Sequence, residues 1–110
     1  MTTLPRDNDN NAIQALKLKP SGAHSISATA SSSRNTTAFD DDTRIVGFYA
    51  TGAVYMSFGD ASAVATSSDH YFPGGLYYDF AIGGDKTLHF SHVAVLAVDA
   101  DCTVYISEKQ

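Results

Sequence analysis

The chain has 110 residues, a net charge of −5, six Tyr, six Phe, no Trp and a single cysteine. That length allows one domain, Cys102 alone cannot form an intrachain disulfide, and without a cluster of Lys and Arg nucleic acid is not expected as the main partner. No apolar run approaches the roughly 20 residues that span a bilayer, so no membrane association is expected.

The first residues, Met1-Thr2-Thr3-Leu4-Pro5-Arg6, lack the apolar core of an export signal, which together with a lone cysteine fits synthesis in a reducing cytoplasm. Residues 1–12 are polar and rich in Asn and Asp. In the run from Ile13 to Pro20, Leu16 and Leu18 alternate with Lys17 and Lys19, a short strand pattern closed by Pro20-Ser21-Gly22; a helix over 11–19 is the competing reading. One stripe this short needs an existing sheet edge to join. Residues 1–22 are therefore read as an extended N-terminal arm, and 23–110 as the folded domain.

Residues 21–37 contain nine Ser or Thr, which reads first as a linker. His24, Ile26, Ala28 and Ala30 nevertheless alternate with Ser and Thr, which predicts a strand over 23–31. Residues 32–42, ending in three aspartates, read as a loop. Of the twelve aromatics only Phe39 precedes Thr43, so the packed body is expected over 43–108. A body of roughly 65 residues buries only about 60% of its unfolded surface, and self-association is the expected source of further stability.

The stretch 43–59 reads as two strands folded onto each other through Thr51-Gly52. Val54, Met56 and Phe58 alternate with Tyr55 and Ser57 in the second. The first is apolar on both faces, with Val46, Phe48 and Ala50 on one and Ile45 and Tyr49 on the other. A strand apolar on both faces calls for a second cover, from this chain or a neighbour. Beyond a polar stretch over 60–69, a loop or a weak edge strand, come His70-Tyr71-Phe72, a Gly74-Gly75 turn, and a strand whose Leu76, Tyr78, Phe80 and Ile82 oppose Tyr77, Asp79 and Ala81. After a Gly83-Gly84 turn, 92–98 and 103–107 complete the set, the last with Val104 and Ile106 inward. Short strands, turns every 8–12 residues and no long helix predict an all-β fold, a small antiparallel β-sandwich or jelly roll.

No chemistry-bearing pattern emerges from the remaining residues. His89 and His92 would fall on opposite faces of a strand and read as surface histidines beside turns. Asp40–Asp42 lacks calcium-loop spacing, and no nucleophile motif surrounds Cys102 or any serine. Neither catalysis, a metal nor a cofactor is expected. The tyrosines Tyr71, Tyr77, Tyr78 and Tyr105 allow two readings: subunit packing, which is favoured, or an aromatic platform for a sugar. The residues expected to contact partners or other copies are Ile13, Leu16, Leu18, Ile45, Tyr49, Tyr71, Tyr77 and Tyr78.

The order of these pieces carries a resemblance. A His-x-Ile-x-Ala-x-Ala strand at 24–30 precedes Arg34-Asn35, Thr43-Arg44-Ile45-Val46 and a Thr-Gly turn. Val54 through Asp60, the run Ala65–Gly75, Gly84-Asp85-Lys86, His92–Leu96 and Thr103–Glu108 follow. Across 13–108 the chain resembles the small β-sandwich virion proteins of tailed bacteriophages. That resemblance implies a capsid decoration (cement) protein on the exterior of the virion. Its partners would be the major capsid protein and neighbouring copies of itself, as a trimer or dimer, with the arm reaching onto neighbours. The alternatives it leaves open are a head–tail connector or tail component, or a head-fibre module that binds a glycan or receptor.

Overall fold

The computed structural model describes residues 17–84 and 88–109. Eight strands form in chain order: β1 (Leu18–Ala28), β2 (Ser33–Arg34), β3 (Ile45–Ala50), β4 (Val54–Gly59), β5 (His70–Phe72), β6 (Tyr77–Ala81), β7 (His92–Ala97) and β8 (Cys102–Lys109). Two four-stranded antiparallel sheets result: sheet I in the order β1-β8-β3-β6 and sheet II in the order β2-β7-β4-β5. The strand numbers pair as 1 with 8, 2 with 7, 3 with 6 and 4 with 5, and the contacts 3 with 8 and 4 with 7 close the sheets. This is the wiring of a two-strand ribbon rolled up on itself, an eight-stranded jelly roll.

Alternation decides which side chains reach the core. Ile26 and Ala28 from β1, Val46, Phe48 and Ala50 from β3, and Val104 and Ile106 from β8 point inward from sheet I. Val54 and Met56 from β4, Phe72 from β5, and Val93, Val95 and Ala97 from β7 meet them from sheet II. Phe48 lies edge-on to Phe72 at 4.7 Å and to Phe80 at 5.8 Å, which joins the two layers. Such pairs add roughly 0.5–1.5 kcal/mol beyond the area they bury.

The strands of 43–59 form as expected, but they do not pair with each other. β3 belongs to sheet I and β4 to sheet II, so 51–53 is an arch between layers and not a hairpin turn. Its backbone bonds show why. Thr51 N donates to Thr103 O at 2.9 Å on one side, and Val98 N donates to Ala53 O at 3.1 Å on the other. The apolar faces of β3 and β4 thus meet across the core, which buries Phe48 and Met56 together. The Gly74-Gly75 turn does the same, carrying the chain from β5 in sheet II to β6 in sheet I.

The boundary between arm and domain also moves. In place of a strand closed by Pro20 and another over 23–31, one strand runs from Leu18 to Ala28. Its register against β8 shifts between Leu18 and Ala23, and Ser21 takes φ 63° there to absorb the irregularity. Pro20 is tolerated because β1 is an edge strand, where a missing N–H leaves no ladder bond unmade. Residues 18–22 therefore belong to the sheet. The loop expected over 32–42 contains the short β2, and the final strand extends from 103–107 to 102–109. The expected partner contacts Ile13 and Leu16 lie outside the described residues.

Candidate functional site

The outward face of sheet I carries the main aromatic feature. Register places Tyr49 of β3 between Tyr105 of β8 and Tyr77 of β6, so three tyrosines stand in one row across neighbouring strands. Strand spacing of about 4.8 Å puts the outer two roughly 10 Å apart. Tyr105 and Tyr77 are 52% and 50% exposed, while Tyr49 between them is half-buried. The next row along the strands holds Ser107, Gly47 and Asp79. A Cβ at Gly47 would lie 1.9 Å from the Tyr77 hydroxyl, so the missing side chain is what lets the Tyr77 ring lie across β3. Lys109 Nζ sits 4.9 Å from the centre of that ring and donates to Asp79 Oδ1 at 2.7 Å. Burial lowers the Lys109 pKa, but the bond to Asp79 and the Tyr77 hydroxyl outweigh it and raise the value overall.

A second feature lies where edge strands β5 and β6 leave the sandwich open. A groove of about 380 Å³ runs between them, lined by Met56, Phe58, Phe72, Phe80 and Ala81 with His70 and Tyr71. Tyr78 lies 5.0 Å from Phe80 of this lining and is 56% exposed, and Leu76, two residues earlier in the chain, is 48% exposed. β6 pairs on one side only, with β3, so its outer row of backbone N–H and C=O groups is unmatched by a strand. The opposite edge of sheet II, at β2, is covered. There the loop 60–69 folds back, with Arg34 donating to Ala63 O at 2.8 Å and Ala65 N to Ser32 Oγ at 2.8 Å. Asp60 caps the start of this loop by accepting from the Ser62 hydroxyl and amide at 2.6 and 2.9 Å, and those bonds hold its carboxyl below the usual range.

A third feature is a buried polar knot on β8. Glu108 points inward and is 3% exposed. Its Oε2 lies 2.7 Å from His24 Nε2 on β1, and its Oε1 accepts from Thr43 Oγ1 at 2.6 Å and from Asp40 N at 2.9 Å. Lys19 pairs with Asp40 at the rim, and the His24 ring meets Phe39 edge-on at 5.1 Å. The knot ties the start of β1 and the 38–43 segment to the last strand.

These placements revise the expected site. Tyr71, Tyr77 and Tyr78 do not share a platform: Tyr71 faces outward on sheet II beside Tyr55, at 6.1 Å, Tyr77 outward on sheet I, and Tyr78 toward the groove. Tyr49, expected as a partner contact on the second face of β3, stands in one row with Tyr77 and Tyr105. Ile45 sits half-buried on the same outward face between Ala81 and Lys109, and Leu18 is exposed at the start of β1. His89 and His92, expected at the surface, are drawn inward: His92 is buried with Nδ1 2.8 Å from Ser91 Oγ, and half-buried His89 donates to the Thr43 carbonyl at 2.9 Å. Thr43 lies 46 residues from His89 in the chain, which local spacing does not report. Among the described residues no three His, Cys, Asp or Glu groups converge as for a metal ion, and no helix is long and apolar enough to cross a membrane. Comparison with family models, with curated proteins and with solved structures found no match.

Proposed function

We propose that this chain is a non-enzymatic virion structural protein of a tailed bacteriophage, a capsid decoration protein on the outside of the head. It stabilises the assembled shell by bridging capsid subunits and acts as a homo-oligomer. The observation that carries the reading is the concentration of half-exposed aromatic side chains on one sheet face and one adjoining edge of a small domain. Exposed apolar surface gathered in this way marks association with other protein surfaces. The jelly roll supports the reading by analogy only, since capsid and lectin domains both use it. The resemblance in the order of strands and turns points the same way.

The mechanism is mass action. A protein that binds the assembled shell, and not its separated subunits, stabilises the shell by about 2.7 kcal/mol per site at a free concentration 100 times Kd. In this reading residues 1–16, which precede β1 in sequence, reach onto neighbouring capsid subunits.

Adding the purified chain to undecorated capsids tests this reading. We expect saturable binding in proportion to shell area and a higher temperature of shell disruption. Deletion of residues 1–16 should leave a folded body that is lost from the shell on dilution. Binding confined to one vertex would favour the connector or tail reading instead. The head-fibre alternative draws on the tyrosine row. It predicts that Tyr105→Ala with Tyr77→Ala abolishes glycan or receptor binding while shell occupancy is unchanged.

A further inference from the structure

We infer that residues 18–22 form a strap that opens from the sandwich as a unit, separately from the rest of β1, with the Lys19–Asp40 ion pair as its catch. Opening hands five residues, Leu18 to Gly22, to the segment that precedes β1, about 17 Å of extended chain. The use of that added reach on capsid subunits rests on the decoration reading above; the strap itself does not.

Three observations divide β1 between Gly22 and Ala23. The first is burial. Ile26 and Ala28 lie in the core at 3% and 0% exposed, whereas no side chain of 18–21 is buried and Leu18 is 63% exposed. Lifting the strap therefore costs little apolar burial, the main force that holds a strand in place. The second is the backbone. The register against β8 shifts between Leu18 and Ala23, Ser21 takes φ 63°, and Pro20 has no N–H to donate. Local opening runs in contiguous units that end where such ties thin out. The third is the placing of the polar groups. On the fixed side His24 Nε2 lies 2.7 Å from Glu108 Oε2, and both side chains are buried. On the strap Lys19 reaches Asp40, whose side chain is 59% exposed, and the bond to Asp40 raises the Lys19 pKa. The mount of the catch stays in place when the strap leaves. Phe39 is 2% exposed with its N–H donating to Ser91 O at 2.9 Å, and Asp40 N donates to Glu108 Oε1 at 2.9 Å. An exposed ion pair is weak and screened by salt, so the strap answers to ionic strength while the body of β1 does not.

Residue-resolved amide exchange of the full-length chain, measured by NMR without capsids, provides the test. Exchange in 18–22 should outpace that in 23–28. Raising the salt to about 1 M, where the screening length falls to about 3 Å, should speed 18–22 relative to 23–28 by about two- to five-fold, the range for an exposed pair. Lys19→Met should show the faster rate already at low salt and lose the response to salt. Asp40→Asn keeps the backbone amide that serves Glu108 and should behave in the same way, which covers the case of a Lys19→Met chain that circular dichroism shows to be misfolded. A single exchange rate over 18–28 in every condition overturns the inference. So does a strap that opens by itself but ignores both salt and the loss of the pair, because Lys19–Asp40 is then not its catch. A strap that opens as described in a chain that ignores capsids would sink only the decoration reading. A chain that coats capsids while 18–28 opens as one would sink only the strap.

Discussion

Glu108 closes an inward run on β8, Val104, Ile106 and Glu108, in which a carboxylate takes a core position. The alternation that places Val104 and Ile106 inside extends to Glu108 only because β8 runs past the expected end at 107 to Lys109. Its partners are not local either: His24, Asp40 and Thr43 lie 65 or more residues away in the chain. Removing a buried charge from its partners leaves their polar groups unpaired, which costs about 3–5 kcal/mol. Glu108→Ala should therefore lower unfolding free energy by about 3 kcal/mol in a denaturant titration, with His24→Ala and Glu108→Ala far from additive. Asp60 supplies a pH-dependent case. Its folded carboxyl is more acidic than in the unfolded chain because Ser62 donates to it twice. That tie contributes above the ordinary carboxylate value of about 3.9 and is lost as pH falls through the lowered folded value. Amide exchange in 60–69 should accelerate only in strong acid, and Asp60→Asn should show that fast exchange already at neutral pH.

The elements were largely legible and their pairing was not. Strand alternation separated Val46, Phe48 and Ala50 from Ile45 and Tyr49 correctly, because period-two burial is a local property. Whether Thr51-Gly52 makes a hairpin or an arch depends on Thr103, Val98 and Ala53, which no local pattern identifies. The tyrosine row was missed for the same reason: Tyr49, Tyr77 and Tyr105 become neighbours only once β3 lies between β6 and β8. Two glycines test this arrangement in opposite ways. A Cβ on Gly74 would lie 2.6 Å from Gly52 Cα and 2.7 Å from Gly52 C, backbone atoms of the arch that have little room to yield. Gly74→Ala should cost about 1–3 kcal/mol, read as a lower midpoint of thermal unfolding. At Gly47 the obstacle is the hydroxyl end of a half-exposed Tyr77. Gly47→Ala should leave the unfolding midpoint nearly unchanged while displacing the ring, seen as a shifted Tyr77 resonance and weaker self-association.

At the scale of the molecule, the first strand pairs with the last, and β8 is an inner strand of sheet I between β1 and β3. Folding must bring together residues more than 80 apart in sequence before sheet I exists, so refolding should fall in the millisecond-to-second range of β proteins dominated by distant pairings. Removing residues 104–110 should abolish the cooperative transition altogether, whereas removing 1–16 should leave it in place. The bare β5–β6 edge and the tyrosine face are the surfaces that the proposed decoration role would use. The proposed decoration role is tested most directly by the copy number of this chain, relative to the major capsid protein, in purified phage particles. Decoration predicts enough copies to cover the whole shell; a single ring's worth, or none, would contradict it.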